Sequence, residues 1–192
     1  MRFLKVFSLL TVLTVVLYTG CVSAEGSVYN DVVRMHVIAN SDTQIDQQIK
    51  MEVRDIVLEK YGSRLSAYKN KDMALMAAQG MLSEIENEVN AYLSSRTNYV
   101  CKVTIDEKYF PTKTYGEYSL PKGNYTALCI SLGRAEGQNF FCVLYPPLCL
   151  GVSFESGEEL FVSHGLGKDE YELMKNTKLA YKLKFRLLEL FN

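Results

Sequence analysis

Three hydrophobic patterns alternate along the chain. The first is nearly continuous and β-branched: Val32-Val33-Arg34-Met35-His36-Val37-Ile38 predicts a central or half-buried strand. Its period of two puts His36 on the face opposite Met35 and Val37. The second pattern is helical. Ser41 or Asp42 is the expected N-cap, with Gln44 three residues after Ser41 as in a capping box. Ile45, Ile49, Val53, Ile56 and Val57 follow at helical spacing, and Gly62 is the expected C-cap. A second helix runs from an Asp72 cap to about Leu93, with Met73, Met76, Ala77, Gly80, Met81, Ile85, Val89 and Tyr92 as its apolar stripe. The short link between the helices predicts an antiparallel hairpin.

The third pattern is a cluster of strands. Residues 99–105 alternate, and residues 125–132 and 140–145 are apolar runs around a glycine-bounded turn, which reads as a β-hairpin. Pro146-Pro147 ends the ladder by removing two donors. Residues 150–154 and 160–162 flank Ser156-Gly157, a second hairpin signal. Asp169 opens a last helix with Leu173, Thr177, Ala180, Tyr181, Leu187, Leu188 and Phe191 on one side. The sum is an α+β domain: a mainly antiparallel sheet with an N-terminal helical hairpin and a C-terminal helix packed on it. Residues 109–120 keep Tyr109, Phe110, Tyr115 and Tyr118 without a helical or strand period. Aromatics retained in a loop imply either packing back on the core or a contact surface.

Charge and composition narrow the function. The net charge is −1, so no global field recruits nucleic acid. Arg2 and Lys5 precede a short apolar run from Val6 to Tyr18, and Val22-Ser23-Ala24 supplies small residues for a cut after Ala24. This is the layout of a secretory signal over residues 1–24, leaving a single extracytoplasmic domain over 25–192. Two other outcomes fit the same stretch: an uncleaved anchor, which is the only membrane contact expected, or a lipoprotein modified at Cys21 after Thr19-Gly20. Cleavage leaves Cys101, Cys129, Cys142 and Cys149, an even number in an exported chain. A Cys142–Cys149 bridge across the proline corner would stabilise by about 2 kcal/mol, although four cysteines allow three pairings.

Candidate chemistry is sparse. With two histidines and no C-x-x-C, neither a metal site nor a cofactor is expected. His36 reads as a strand histidine satisfied by a neighbour, because no nucleophile stands at a diagnostic spacing. Gly133-x-x-x-Gly137 lacks the following helix that would make it an anion cradle. An enzyme is therefore not the expected reading. The alternative is an exported cell-wall hydrolase or thiol-dependent transferase using Cys142 or Cys149 with His36.

Four segments in order resemble a known family. They are Arg34-Met35-His36-Val37-Ile38-Ala39-Asn40-Ser41-Asp42, then Tyr109-Phe110-Pro111-Thr112-Lys113-Thr114-Tyr115-Gly116, then Pro121-x-Gly123-x-Tyr125-x-Ala127-Leu128, and finally Asn139-Phe140-Phe141-Cys142-Val143-x-x-Pro146-Pro147-Leu148-Cys149. Together they are similar to stage II sporulation protein R, from about residue 33 to the C-terminal helix. Phe140-Phe141 stands where that family usually has a Trp pair, part of its glycine-rich turn is replaced by Arg134-Ala135-Glu136, and Cys101 and Cys129 lie outside its pattern. The resemblance implies a signalling protein of endospore-forming bacteria, exported from the forespore into the space between the two membranes. There it would activate a membrane-embedded aspartic protease of the mother cell, which processes a sigma factor precursor. The segments make Tyr109, Phe110, Tyr115, Tyr125, Asn139, Phe140, Phe141, Pro146 and Pro147 the expected partner-binding residues. Arg34, His36, Asn40, Ser41 and Asp42 are the remaining motif positions.

Overall fold

A computed structural model describes residues 31–148 and 157–175, together with Phe7 and Thr11. The expected leader, Cys21, Cys149, residues 150–154 and the part of the expected C-terminal helix beyond Lys175 lie outside the described residues. The central element is β1 (Val33–Ile38), the central of the two places its nearly continuous run allows. It is followed by α1 (Gln44–Ser66), α2 (Lys71–Leu93), β2 (Cys101–Phe110), β3 (Lys113–Tyr115), β4 (Tyr118–Leu120), β5 (Gly123–Leu132), β6 (Asn139–Tyr145), α3 (Gly157–Ser163) and α4 (Lys168–Lys175). The main sheet has the order β2-β5-β1-β6, and β3-β4 form a separate two-stranded ribbon. β1 runs parallel to β5, while the β1–β6 and β2–β5 ladders are antiparallel. The class is α+β.

This order corrects the hairpin expected around 133–139. β5 and β6 do not pair, because β1 lies between them. Adjacent apolar strands with a glycine-bounded turn read as a hairpin locally. The link 133–138 is nevertheless long enough to cross two inter-strand spacings of about 4.8 Å each, and β1 takes the middle place, buried along almost its whole length.

The crossing is held by the residues after β1. Gly137 N–H donates to Ala39 O at 3.0 Å and Glu136 N–H to Asn40 O at 3.3 Å. Arg134 N–H donates to Asn40 Oδ1 at 3.0 Å, and Gln138 N–H to Asp42 Oδ1 at 2.7 Å. Gly133 and Gly137 are needed here. A Cβ on Gly133, at φ +56°, would sit 2.3 Å from Asn40 Oδ1, and one on Gly137 would sit 2.3 Å from Ser41 O. The G-x-x-x-G N–H groups thus donate within the fold, those of Gly133 and Ala135 to Val100 O and Leu132 O and the rest to residues 39–42.

Ser41 and Asp42 therefore do not cap α1. The cap is Thr43, whose side chain accepts from Asp46 N–H. Asp46 is the hub of the corner: Asn40 Nδ2 donates to it at 2.9 Å, Tyr99 OH at 2.8 Å, and Ser41 Oγ also donates. Burial acts to raise its pKa. The hydrogen bonds from Ser41, Asn40, Tyr99 and Thr43 outweigh burial and hold the carboxyl below its ordinary value. Its contribution is therefore present above the unfolded pKa of about 3.9 and is lost as pH falls through the lower folded value.

α1 and α2 pack as the expected hairpin on one face of the sheet. Val33, Met35 and Val37 of β1 meet Ile49, Val53, Val57, Tyr61 and Leu65 of α1 there. α1 runs past Gly62 to Ser66, and Asn70 rather than Asp72 caps α2. The α2 stripe is rotated from the expected one. Ala74, Ala78, Met81, Ile85, Val89 and Leu93 are buried, whereas Met73 and Met76 are exposed. One residue turns a helix by about 100°, and small alanines at 74 and 78 give α1 a surface it can approach more closely than methionines.

The other face is covered by the β3–β4 ribbon and by α3 and α4. Val32, Phe110, Tyr118, Leu120, Tyr125, Val143, Phe161, Leu166, Tyr171 and Met174 make this second core. Three expectations fail here. β2 extends through Tyr109 and Phe110, β3 and β4 form within 113–120 where the sequence shows no strand period, and residues 160–162 are helical. Phe161 is fully buried, and helical spacing brings it to Tyr118, ring centroids 5.1 Å apart.

The corner generates one prediction. Asn40→Ala removes an acceptor of the crossing and a donor to Asp46, and is expected to cost about 2 kcal/mol. Gly133→Ala introduces the clash with Asn40. In urea unfolding, the double variant should cost clearly less than the sum of the singles, since Asn40→Ala relieves that clash. Strict additivity would count against the corner as described.

Candidate functional site

The period of two in β1 sends Arg34 and His36 to the second face. Arg34 lies between Ala127 of β5 and Val143 of β6, and His36 between Cys129 and Phe141. Arg34 is 0% exposed. Its guanidinium carbon stands 4.1 Å from the Phe110 ring centroid, 5.0 Å from Tyr125 and 5.8 Å from Tyr115. Nη2 donates to Tyr115 OH at 2.6 Å, and that hydroxyl donates to Phe141 O at 3.1 Å. Nε and Nη1 have no acceptor. Burial lowers the pKa of Arg34, opposed by Tyr115 and Tyr125. A guanidinium is nonetheless always charged in a protein.

The magnitudes frame the question this residue poses. Burying a cation without a counter-ion costs several kcal/mol. A ring face returns about 0.5–2 kcal/mol and the hydrogen bond to Tyr115 about 1.5–3 kcal/mol. The aromatic box offsets much of the cost, but three N–H bonds remain unanswered, one on Nε and two on Nη1.

His36 is buried too. Its ring stacks on Phe141 at 4.8 Å and 22°, with Phe110 tilted at 5.7 Å. Neither ring nitrogen makes a hydrogen bond of good geometry, and the neighbour that acts on the ring as a hydrogen-bond partner is the Asn139 side chain. Burial lowers its pKa, the Asn139 side chain opposes this, and the charges of Lys108 and Arg34 lower it further. The ring is accordingly neutral around neutral pH.

The expected contact residues are distributed unevenly. Phe110, Tyr125, Pro146 and Pro147 are buried by the protein's own packing. Tyr109 is 62% exposed but points away from Phe110, onto the other face. Phe140 and Phe141 also part company, because consecutive strand residues alternate. Phe140 packs on the helical side, where the Arg54 guanidinium lies 5.0 Å from its ring, and Phe141 packs on His36. Tyr115, Phe141 and Asn139 come together on the second face and are half-buried or exposed. Lys113 joins them, its Nζ 5.5 Å from the Phe141 ring. Asn40, Ser41 and Asp42 belong to the corner after β1, away from this box.

The proposed thiol–imidazole couple does not form between His36 and Cys142. Cys142 sits opposite Met35 and packs on the helical side, so the sheet separates the two. Cys142 is disulfide-bonded and Cys149 lies outside the described residues. The thiol beside His36 is instead Cys129, its register partner on β5. It is buried and free, and burial pushes its pKa up while that of His36 is pushed down. This arrangement favours a neutral thiol beside a neutral imidazole, the reverse of an activated pair. Cys101 is likewise free and buried, its thiol pushed up to about 12 by burial and the Glu86 charge.

Arg34 is legible in the sequence only as a charge inside an apolar strand. That signal marks the face it shares with His36, but not the aromatic walls, which arrive from β2, β3, β5 and β6.

Residues 29–154 match the family model described as Stage II sporulation protein R (spore_II_R). The chain belongs to that family. The Stage II sporulation protein R of Bacillus subtilis (strain 168) is 35% identical over 127 residues, which cover 66% of this chain and 56% of that relative. The matched region thus spans little over half of the relative's own length. No solved structure matches the chain. Within this sporulation family member, the match covers β1 to β6 and the whole aromatic box, while α3 and α4 lie beyond it.

Two measurements test the box. Arg34→Met keeps volume and removes the unpaired charge, so it is expected to leave urea stability unchanged or to raise it by about 1–4 kcal/mol. A large loss would show that the rings outweigh desolvation. The His36 pKa is depressed on folding, so below about 6.5 the unfolded chain binds more protons at this site. Stability from this group is therefore lost as pH falls below that value. His36→Leu should remove this loss, and parallel pH profiles for the two proteins would refute the assignment.

Proposed function

We propose that this chain is an exported signalling protein of sporulation, passing from the forespore to the space between the two membranes. There it activates a membrane-embedded aspartic protease of the mother cell, and the protease processes a sigma factor precursor. The observation that carries this reading is family membership across β1–β6. The geometry separates one couple of the enzymatic alternative, since Cys142 and His36 lie on opposite faces of the sheet. The accessible part of the second face, with Tyr115, Asn139, Phe141, Lys108 and Lys113, is the proposed docking surface. Membrane contact is assigned to the N-terminal segment, and none of the described helices is long and apolar enough to cross a membrane.

The proposal is tested in a deletion strain complemented with variants and scored for precursor processing. Restoration is expected with the full chain and not with a chain lacking residues 1–24. Phe141→Ala should abolish processing while the protein is exported and folded. Phe140→Ala should act through stability instead, because that ring packs on α1. Normal processing with a folded Phe141→Ala variant would move the docking surface elsewhere.

The partner of Cys142 in its disulfide is proposed to be Cys149, which closes the corner at Pro146-Pro147. Alkylation of the denatured, unreduced protein should then label Cys101 and Cys129 but neither Cys142 nor Cys149. Cys149→Ser should expose Cys142 to the reagent. Labelling of Cys149 in the unreduced protein would exclude this pairing.

A further inference from the structure

We infer that Arg34 is a carboxylate-binding site latched by Tyr115, and that its occupant is an aspartate or glutamate side chain on an acidic segment of the partner protein. This deepens the signalling reading above and rests on it for the identity of the occupant.

The inference starts from an unpaid debt of hydrogen bonds. Buried polar groups are almost always paired, yet Nε and Nη1 of a fully buried guanidinium have no acceptor. The groups that do answer Arg34 are neutral phenols, Tyr115 OH at 2.6 Å and, without good geometry, Tyr125. A carboxylate is the stronger partner for a guanidinium, in charge and in geometry. Neutral His36 adds one further N–H donor on the same face, and only the Asn139 side chain acts on it as a hydrogen-bond neighbour, without good geometry.

The surroundings select an anion. Lys108 acts on His36 from β2, and Lys113 reaches over Phe141. The acid on this side of β2, Asp106, is hydrogen-bonded by Thr104 Oγ1 at 2.6 Å, and its charge acts on Cys129. It is not among the groups acting on Arg34 or His36. The site is therefore cationic, aromatic-walled and short of acceptors.

Access depends on Tyr115. This residue is half-buried on β3, a three-residue strand that pairs with β4 and not with the main sheet. Its hydroxyl occupies the place of an acceptor and is pinned at both ends, by Arg34 and by Phe141 O. Swinging Tyr115 outward opens the guanidinium without breaking any ladder of the main sheet. An arriving carboxylate replaces the phenol, and the rings of Phe110 and Tyr125 keep water from competing.

The test titrates the ¹⁵N-labelled full chain with a blocked Gly-Glu-Gly peptide and, in parallel, with its Gly-Gln-Gly counterpart and with acetate. The readouts are the Arg34 Nε–H resonance and the backbone amides of residues 115 and 141. The Glu peptide should shift all three saturably, and the Gln peptide should not. Tyr115→Phe should tighten binding about tenfold, because the competing hydroxyl is gone. Arg34→Met should lose the response at 115 and 141. No shift in either the native chain or Tyr115→Phe overturns the site. An equal response to the Gln peptide overturns its carboxylate chemistry, and a response to acetate alone overturns the assignment to a partner side chain. Failure of the signalling reading looks different: the purified chain binds the Glu peptide, yet deletion and wild-type strains process the precursor alike.

Discussion

The structure depends on β1 lying between β5 and β6. That placement requires the link 133–138 to pass over the end of β1, and the corner at residues 39–42 makes the passage possible. Asn40 is its pivot: the main-chain carbonyl and side-chain oxygen both accept from the crossing link, while the side-chain nitrogen donates to Asp46. The same corner starts α1 through Thr43. One short polar segment therefore sets the sheet order, the crossing, and the entry of the first helix. Polar residues bear part of this task because the N–H groups of Arg134 and Gln138 take side-chain acceptors that an apolar turn would not supply.

With β1 in the middle, both of its faces are buried, and they are unlike. The face towards α1 and α2 is ordinary packing, with Val33, Met35 and Val37 against a helical hairpin. The face towards the β3–β4 ribbon holds Arg34 and His36, two groups that fold at a cost. Aromatic rings from four strands surround them, which offsets the desolvation but leaves donors unanswered. Tolerating this cost at the centre of a sheet is unusual for stability alone, since an apolar side chain of equal volume would serve at least as well. It is the physical reason to look for function at Arg34 rather than at a cysteine.

The cysteines follow the same division. Cys142 packs on the helical face, whereas Cys129 lies beside His36 on the other. A sheet one strand thick is enough to separate a thiol and an imidazole that neighbour in register. Proximity along a strand therefore says little about chemistry until the face of each residue is known.

Much of the architecture is determined by sequence alone. A nearly continuous apolar run marks β1 as a central or half-buried strand, helical periodicity makes α1 and α2 a hairpin, and the period of two puts Arg34 and His36 on one face. Four ordered segments suffice to place the chain in its family. These are local signals, written in spacings of a few residues. Tertiary structure decided what depended on distant partners. The inserted β1 turned an apparent hairpin into a crossover, and two small alanines turned the α2 stripe away from its methionines. Alternation separated Phe140 from Phe141, and the aromatic box closed around Arg34 from residues up to about a hundred positions away. A periodicity states which residues share a face. It does not state which strand comes to lie beside it, because that choice is made by burial and hydrogen bonding summed over the whole sheet.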